Sequence, residues 1–272
     1  MFECGGIRPA LLHLEYEEEK GYGGRQFLPA KSWVSLPYNV MISIIIPTKN
    51  EKHYLPKLLK SIKKQDYKDY EVIVSDAGST DKTVKIAKKF GCKVVKGGLP
   101  SVGRNNGAKY AKGDIFLFLD SDVIIDKYFL EKSLKEFKER KLGTATWYAY
   151  PLSKRIFDKV FFFFLNYIMI IEQYFWPNAG GYCILCKKDI HKKLGGFRED
   201  LIVAEDCDYA RRSAKFGKFR FLRTTSVKVS VRRLDKTGRF KLLLDYVPLG
   251  FLRVFGGVKR KNIGLYDFNY KK

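Results

Sequence analysis

Asp114-Ile-Phe-Leu-Phe-Leu-Asp120-Ser-Asp122 is an apolar run that stops at two carboxylates one residue apart. A short, continuous apolar run fits a strand covered on both faces, as in the middle of a parallel sheet. In extended chain, residues i and i+2 point to the same side, so the spacing aims Asp120 and Asp122 at one place. Two carboxylates held together repel unless a cation joins them. Mg2+ favours one or two carboxylates completed by phosphate oxygens and water. The pair therefore reads as a divalent-metal site for a diphosphate. A second reading stays open, an acidic turn capping a helix expected over residues 126–140.

Upstream of that run, strand and helix signals alternate. Residues 42–46 form a β-branched strand ended by Pro47, and Leu55, Leu58, Leu59 and Ile62 recur at the spacing of an amphipathic helix. Residues 70–75 read as a second strand, followed by the turn Asp76-Ala-Gly-Ser-Thr80. Val84, Ala87 and Phe90 mark the next helix face, residues 92–95 a third strand, and residues 101–112 a third helix. This order predicts an α/β fold with a mostly parallel, doubly wound sheet. Such sheets bind ligands beyond the carboxyl ends of their strands. The residues at those ends are Pro47-Thr-Lys49-Asn-Glu51, Asp76 and Asp120-Ser-Asp122, all expected on one rim. Glu51 and Asp76 suit base or ribose hydrogen bonds, and Asp122 suits the metal. Arg104, near the start of the third helix, offers a guanidinium beside free N–H groups, an arrangement for an anion.

The 272 residues are 46% hydrophobic and 15% aromatic, enough apolar surface for a sizeable core. Lys and Arg number 52 against 29 acids, a formal charge of +23 that favours nucleic acid, anionic headgroups or phosphorylated substrates. The aromatics cluster in apolar blocks and do not interleave with Lys and Arg, so a nucleic-acid partner is not expected. Cys183-Ile-Leu-Cys186 has neither a second pair nor a nearby histidine to complete a zinc site, and it lies in an apolar run. It reads as buried, reduced thiols on the cytosolic side. Residues 1–40 lack periodicity and read as a poorly ordered extension, with Met41 a candidate start. No run reaches the ~18 apolar residues of a membrane span.

Two later segments stand out. Residues 156–176 contain Phe161-Phe-Phe-Phe-Leu165 and Ile168-Met-Ile-Ile171 beside Asp158, Asn166 and Glu172. They are too polar to span a bilayer, and either an interfacial helix or one packed on the sheet fits them. Residues 236–272 mix Leu, Val and Phe with Arg239, Lys241, Arg253 and Lys259-Arg-Lys261, a basic amphipathic segment suited to an anionic membrane surface. Arg232-Arg233, after an expected strand at 227–231, suits a donor diphosphate or an acceptor phosphate. Asp206 opens a helix through Ala214 and serves either as a general base or as a partner of the helix dipole.

Taken together, several motifs resemble the family 2 glycosyltransferases of the A-type fold, dolichol-phosphate mannose synthase-like relatives included. They are Ile44-Ile-Ile-Pro47-Thr-Lys-Asn50-Glu51, Val74-Ser-Asp76-Ala-Gly-Ser-Thr-Asp81, Gly103-Arg-Asn-Asn-Gly107, Asp120-Ser-Asp122, Gly195-Gly-Phe-Arg-Glu199 and Glu205-Asp206-Cys-Asp-Tyr-Ala-Arg-Arg212. The resemblance implies a catalytic domain at residues 41–235 that moves a sugar from a nucleoside-diphosphate sugar to a hydroxyl or phosphate acceptor with inversion. It implies that Pro47, Lys49, Glu51 and Asp76 hold the nucleoside, and Arg104 and Asp120 its ribose or diphosphate side. Lys49 stands where many relatives carry an aromatic residue. Mg2+ or Mn2+ is expected on Asp122 with Asp120, and the general base from Glu205-Asp206, with Asp206 preferred. The acceptor implied is a polyprenyl phosphate or lipid-linked glycan, and the location peripheral, on the inner face of the membrane. A nucleotidyltransferase is the rival enzyme. It requires a glycine-rich loop with a lysine after the first strand, and residues 47–51 hold no glycine.

Overall fold

The computed structural model describes residues 40–239 and the short strand at 258–259. The expected extension at 1–40 and most of the expected segment at 236–272 lie outside the described residues.

The chain begins with three strand–helix units. These are β1 (Ile42–Thr48), α1 (Leu55–Lys63), β2 (Tyr70–Asp76), α2 (Thr83–Lys89), β3 (Lys93–Lys96) and α3 (Pro100–Lys109), followed by β4 (Ile115–Leu119). After the acidic turn come β5 (Val123–Ile125), α4 (Phe129–Glu139), β6 (Thr144–Pro151), α5 (Ile156–Glu172) and β7 (Cys183–Lys187). The chain continues through α6 (Lys188–Leu194), β8 (Leu201–Val203), α7 (Glu205–Ser213), β9 (Phe219–Val229), α8 (Arg232–Thr237) and β10 (Val258–Lys259). The main sheet has eight strands in the order β3-β2-β1-β4-β7-β6-β9-β5, and β10 pairs with β8 apart from it.

The first four strands are mutually parallel, as their alternation with helices requires. β7 then runs antiparallel to both β4 and β6, and β5 antiparallel to β9, so the second half of the sheet is mixed. Alternation along β4 divides the core. Ile115, Leu117 and Leu119 join the α1, α2 and α4 side, whereas Phe116 and Phe118 pack with Ile190, Phe197 and Tyr209 on the α6 and α7 side. Both faces are covered, which is why the run reads as uninterrupted apolar sequence.

One irregularity places the site. Between β6 and β9, Trp147 pairs with Leu222 but Tyr148 pairs with Ser226, so Arg223-Thr-Thr225 is bulged out. Glu136 of α4 holds the bulge, accepting from the Arg223 and Thr224 amides at 2.8 and 2.9 Å and from the Thr224 hydroxyl at 2.8 Å. Beyond it, β9 swings over to β5, with Val229 opposite Val123. The Ser230 amide donates to the Asp122 carbonyl at 3.0 Å. The bulge thus delivers the start of α8 to the acidic turn. The strand expected at 227–231 is the end of this longer β9, and Arg232 lies on a helix.

Cys183 and Cys186 are buried in β7, and burial raises both thiols, Cys186 to about 11. They are inert packing groups. Among the described residues, no helix is long and apolar enough to cross a membrane.

Candidate active site

The carboxyl ends of β2, β1 and β4 lie side by side, and the loops that follow them are cross-tied. Thr48 donates its hydroxyl to Asp76 at 3.0 Å, and Asp76 accepts the Ser79 amide at 2.7 Å. Lys49 donates Nζ to the carbonyls of Ala77 and Gly78 at 3.0 and 2.5 Å. Asn50 adopts a left-handed φ of 55° and accepts the Thr80 amide at 2.9 Å, which turns the chain so that Glu51 faces inward, buried. Pro47 lies under Gly103, where a β-carbon would stand 3.1 Å from the proline ring, so α3 approaches β1 closely.

Two arginines organise the acids. Arg104 of α3, 2% exposed, donates Nη1 to Glu205 at 2.9 Å and Nη2 to Asp120 at 2.9 Å and to the Gly181 carbonyl at 3.0 Å. Its guanidinium lies 5.3 Å from the Phe197 ring centre. Arg232 of α8 grips Glu51 through both oxygens at 2.8 Å, reaches Asp122 with Nε at 2.9 Å, and lies 4.6 Å from the centre of the Tyr54 ring. Asp120 and Asp122 lie close enough for the charge of Asp122 to raise the Asp120 carboxyl. They sit in a turn just past β4, and each is drawn to its own arginine. Glu205 and Asp206 open α7 directly after Ala204, whose φ of 61° is left-handed. Asn50 and Ala204 are two of three non-glycine residues with positive φ among those described, and each immediately precedes a site acid. Such strain persists where the surroundings fix it, commonly at functional sites.

Burial pushes the Asp120 carboxyl up to about 6 against the pull of Arg104, with Asp122 adding to the rise. Burial and then the Asp206 charge push Glu205 up to about 7, again opposed by Arg104. Asp122 is raised by burial, Arg232 lowering it and Glu51 raising it. The site thus gathers six carboxylates, Glu51, Asp76, Asp120, Asp122, Glu205 and Asp206, around two arginines and Lys49 in a chain that is strongly basic. That local excess of hard, anionic oxygen suits a Mg2+ or Mn2+ ion. No group of three His, Cys, Asp or Glu forms a closed metal cage among the described residues. An ion shared with a diphosphate does not require one.

Asp206 Oδ1 accepts the Cys207 amide at 2.8 Å, while Oδ2 faces Gly181, where a β-carbon would stand 3.0 Å from it and 3.1 Å from Arg104 Nη2. The glycine thus leaves room for the carboxylate at the cleft floor. Gly181→Ala is expected to lower turnover about 10–100-fold through this displacement. The thermal midpoint should fall by about 2–4 °C, because the added methyl crowds the Arg104 and Asp206 side chains at a cost of about 1 kcal/mol. An unaffected rate would show that Asp206 tolerates the shift.

Of the sequence-predicted residues, Pro47, Lys49, Glu51, Asp76, Asp120 and Asp122 lie at or just past strand ends, Glu205 and Asp206 open α7, and Arg104 lies on α3. The expected contact of Arg104 with ribose or diphosphate does not fit its placement. Its side chain is buried and committed to Asp120, Glu205 and Gly181. Arg232, foreseen only as a phosphate contact, pairs with Glu51 across 181 positions of sequence, a partnership no local pattern signals. Tyr54 was not anticipated. A cavity of about 450 Å³ beside the β9 bulge, lined by Tyr128, Tyr148, Tyr150 and Arg223 among others, includes none of the site acids. Among the described residues, the acidic cleft combines strand ends, strained backbone and opposed charges, which makes it the candidate site.

The model of glycosyl transferase family 2 matches residues 43–195, more than half of the chain and all of the rim from β1 to the Gly181 strap. The chain belongs to glycosyl transferase family 2. Poly(ribitol-phosphate) beta-N-acetylglucosaminyltransferase TarS of Staphylococcus aureus is 38% identical over 99 residues, covering 33% of this chain and 17% of TarS. Its crystal structure matches with a TM-score of 0.59 over 70% of this chain and 37% of that one. GalNAc(5)-diNAcBac-PP-undecaprenol beta-1,3-glucosyltransferase of Campylobacter jejuni is 40% identical over 91 residues, 30% of this chain and 29% of that enzyme. The mannosyltransferase PcManGT from Pyrobaculum calidifontis, solved with GDP-Man and Mn2+, matches with a TM-score of 0.60 at 24% identity, covering 72% of this chain and 59% of that one. The matched regions span less than a third of the two curated relatives' lengths. The family and the A-type α/β fold expected from the motifs are borne out. So is the enzyme class, that of a family 2 glycosyltransferase.

Proposed function

We propose that this family 2 member transfers a hexosyl group from a nucleoside-diphosphate sugar to a hydroxyl or phosphate acceptor with inversion. The observation that carries the reading is the meeting of Glu51, Asp120, Asp122, Glu205 and Asp206 around Arg104 and Arg232 at one strand-end cleft. Pro47, Lys49, Glu51 and Asp76 line the wall for the nucleoside. Asp122 with Asp120 holds Mg2+ or Mn2+. Bound there, the cation supplies positive charge toward the departing diphosphate. Arg104 is a positioning residue that orients Asp120 and Glu205. Arg232, 39% exposed, is the cation free to turn from Glu51 toward the donor's diphosphate. As the bond from the anomeric carbon to the diphosphate breaks, the acceptor oxygen bonds from the opposite face, and its proton passes to Asp206.

The same proposal puts the acceptor on a lipid, a polyprenyl phosphate or lipid-linked glycan, and the protein on the inner membrane face. Its support is the basic chain and the undecaprenol-linked acceptor printed in the Campylobacter relative's name.

A thermal-shift panel of UDP-, GDP- and dTDP-sugars with and without Mn2+ tests the donor site. One sugar nucleotide is expected to stabilise the protein more with Mn2+ than without. Asp122→Asn should remove the metal-dependent increment while leaving a nucleotide shift. Stabilisation by no sugar nucleotide, or a full Mn2+ increment in the variant, would overturn the assignment.

A further inference from the structure

α5 buries one narrow face. Phe162 and Met169 pack inward there, beside polar groups that each find a partner. Asp158 is fully buried and takes two bonds from Arg239 at 2.7 and 3.0 Å. Asn166 pairs both ways with the Ala149 backbone at 3.0 and 2.8 Å, and Gln173, just past the helix, accepts the Phe221 amide at 2.9 Å. Polar bonds thus pin the helix to β6 and β9. The opposite face is apolar. Ile156, Val160, Phe163, Phe164, Tyr167, Ile168 and Ile171 follow one another at helical spacing, and all are exposed, Phe163 at 64% and Ile156 at 78%. Tyr174, Phe175 and Trp176 continue the strip past the helix end, all exposed. An ordinary surface helix turns such a stripe inward, and contiguous exposed apolar area of this extent marks an interaction surface.

We propose that the outward face of α5 is an in-plane docking surface for an anionic lipid bilayer. The charge around it selects that occupant. Exposed Lys154, Arg155 and Lys159 flank the amino end, while Arg220 and Arg211 lie 4.8 and 5.2 Å from the Tyr174 and Trp176 ring centres at the other. The acids of this helix are turned away, Asp158 buried with Arg239 and Glu172 accepting from Asn178 at 2.7 Å. An apolar strip with basic ends matches acyl chains beneath anionic headgroups. Tyrosine and tryptophan suit the headgroup level. A second copy of the chain would instead set two basic rims against each other.

This deepens the lipid-acceptor reading and rests on it for its purpose. Trp176 is joined to Gly181 by a short strap, and Gly181 touches both Arg104 and the space beside Asp206.

The test is sedimentation of the full chain with phosphatidylcholine vesicles, with and without phosphatidylglycerol. The wild type should bind the anionic vesicles and bind neutral ones at least tenfold less. Combined Phe163→Ser, Phe164→Ser and Tyr167→Ser should cut anionic binding at least tenfold, whereas Tyr110→Ser, exposed off this face, should not. The Trp176 emission should shift to the blue on binding. Unchanged binding by the triple variant would overturn the proposal. So would a wild-type dimer that the triple variant converts to monomer without losing vesicle binding, which would assign the face to self-association. Donor thermal shifts are read on the same proteins without vesicles. Lost donor binding with intact vesicle binding would refute the transferase reading and leave the docking surface standing.

Discussion

Asp206→Asn is expected to lower turnover of the nucleoside-diphosphate sugar in the presence of acceptor membranes by about 10²–10⁴-fold, the usual worth of a positioned general base. Turnover is followed as nucleoside diphosphate released. Donor affinity in the thermal-shift panel should change less than about twofold, because asparagine keeps the oxygen that accepts the Cys207 amide. The neighbouring acid is the obvious rival, and the two differ in what already holds them. Glu205 is fixed by Arg104 at 2.9 Å and is 14% exposed. Among the described residues Asp206 meets no cation at that range, and it has one oxygen over Gly181, toward the cleft floor. A base needs a lone pair that an incoming hydroxyl can reach, which favours Asp206. A loss below about tenfold in Asp206→Asn would point to an acceptor phosphate, whose oxygen is already ionised and requires no base. A loss of donor binding together with turnover would instead make Asp206 part of the donor site.

The first half of the fold was legible because its signals are local. Residues 42–119 alternate apolar strands with helices of fixed period, and a parallel sheet follows from such alternation without knowledge of distant partners. The acids of the rim were legible for a related reason, since each ends a strand or opens a helix, and strand ends converge in this architecture. The second half obeys longer-range rules. β6 and the amino-terminal part of β9 gave no signal strong enough to anticipate. Their pairing depends on a bulge clamped by Glu136, an acid on a helix far away in sequence. The same holds for the arginines. Arg104 reads as an anion binder by position, and only burial by Phe197 and the partnership of Asp120 and Glu205 turn it into an internal brace. Arg232 reads as a basic residue after a strand, and only the swing of β9 brings it to Glu51. Residues 156–176 left two readings open. The helix does pack on the sheet, through Phe162 and Met169 together with Asn166, and hydropathy cannot foresee which face a helix turns inward when apolar residues lie on both.

Arg104→Met is expected to destabilise the fold by about 3–5 kcal/mol at pH 8, the cost of leaving buried ion-pair partners alone. For a chain of this size that is a fall of roughly 10 °C in Tm. Most of the loss should come from Glu205, because Asp120 is 36% exposed at the cleft and is partly screened by water. The dependence on pH separates this account from a simple packing defect. Both carboxyls are raised in the folded protein, Asp120 to about 6 and Glu205 to about 7, above their unfolded values. Groups raised in this way contribute stability that is fully present below the unfolded values and lost as pH climbs through the folded ones. Removing Arg104 takes away the cation that holds both down, so they rise further and keep their protons to higher pH. At pH 8 the wild type therefore carries two carboxylates paired with a guanidinium, and the variant must keep them neutral or leave them unpaired. Near pH 5 both proteins hold them largely protonated, and the pairing energy no longer distinguishes them. The gap between wild type and Arg104→Met should accordingly shrink by half or more between pH 8 and pH 5, measured by urea denaturation at each pH. A gap that stays constant across this window would mean that Arg104 acts through its bulk against Phe197 and not as the charge that fixes the two acids.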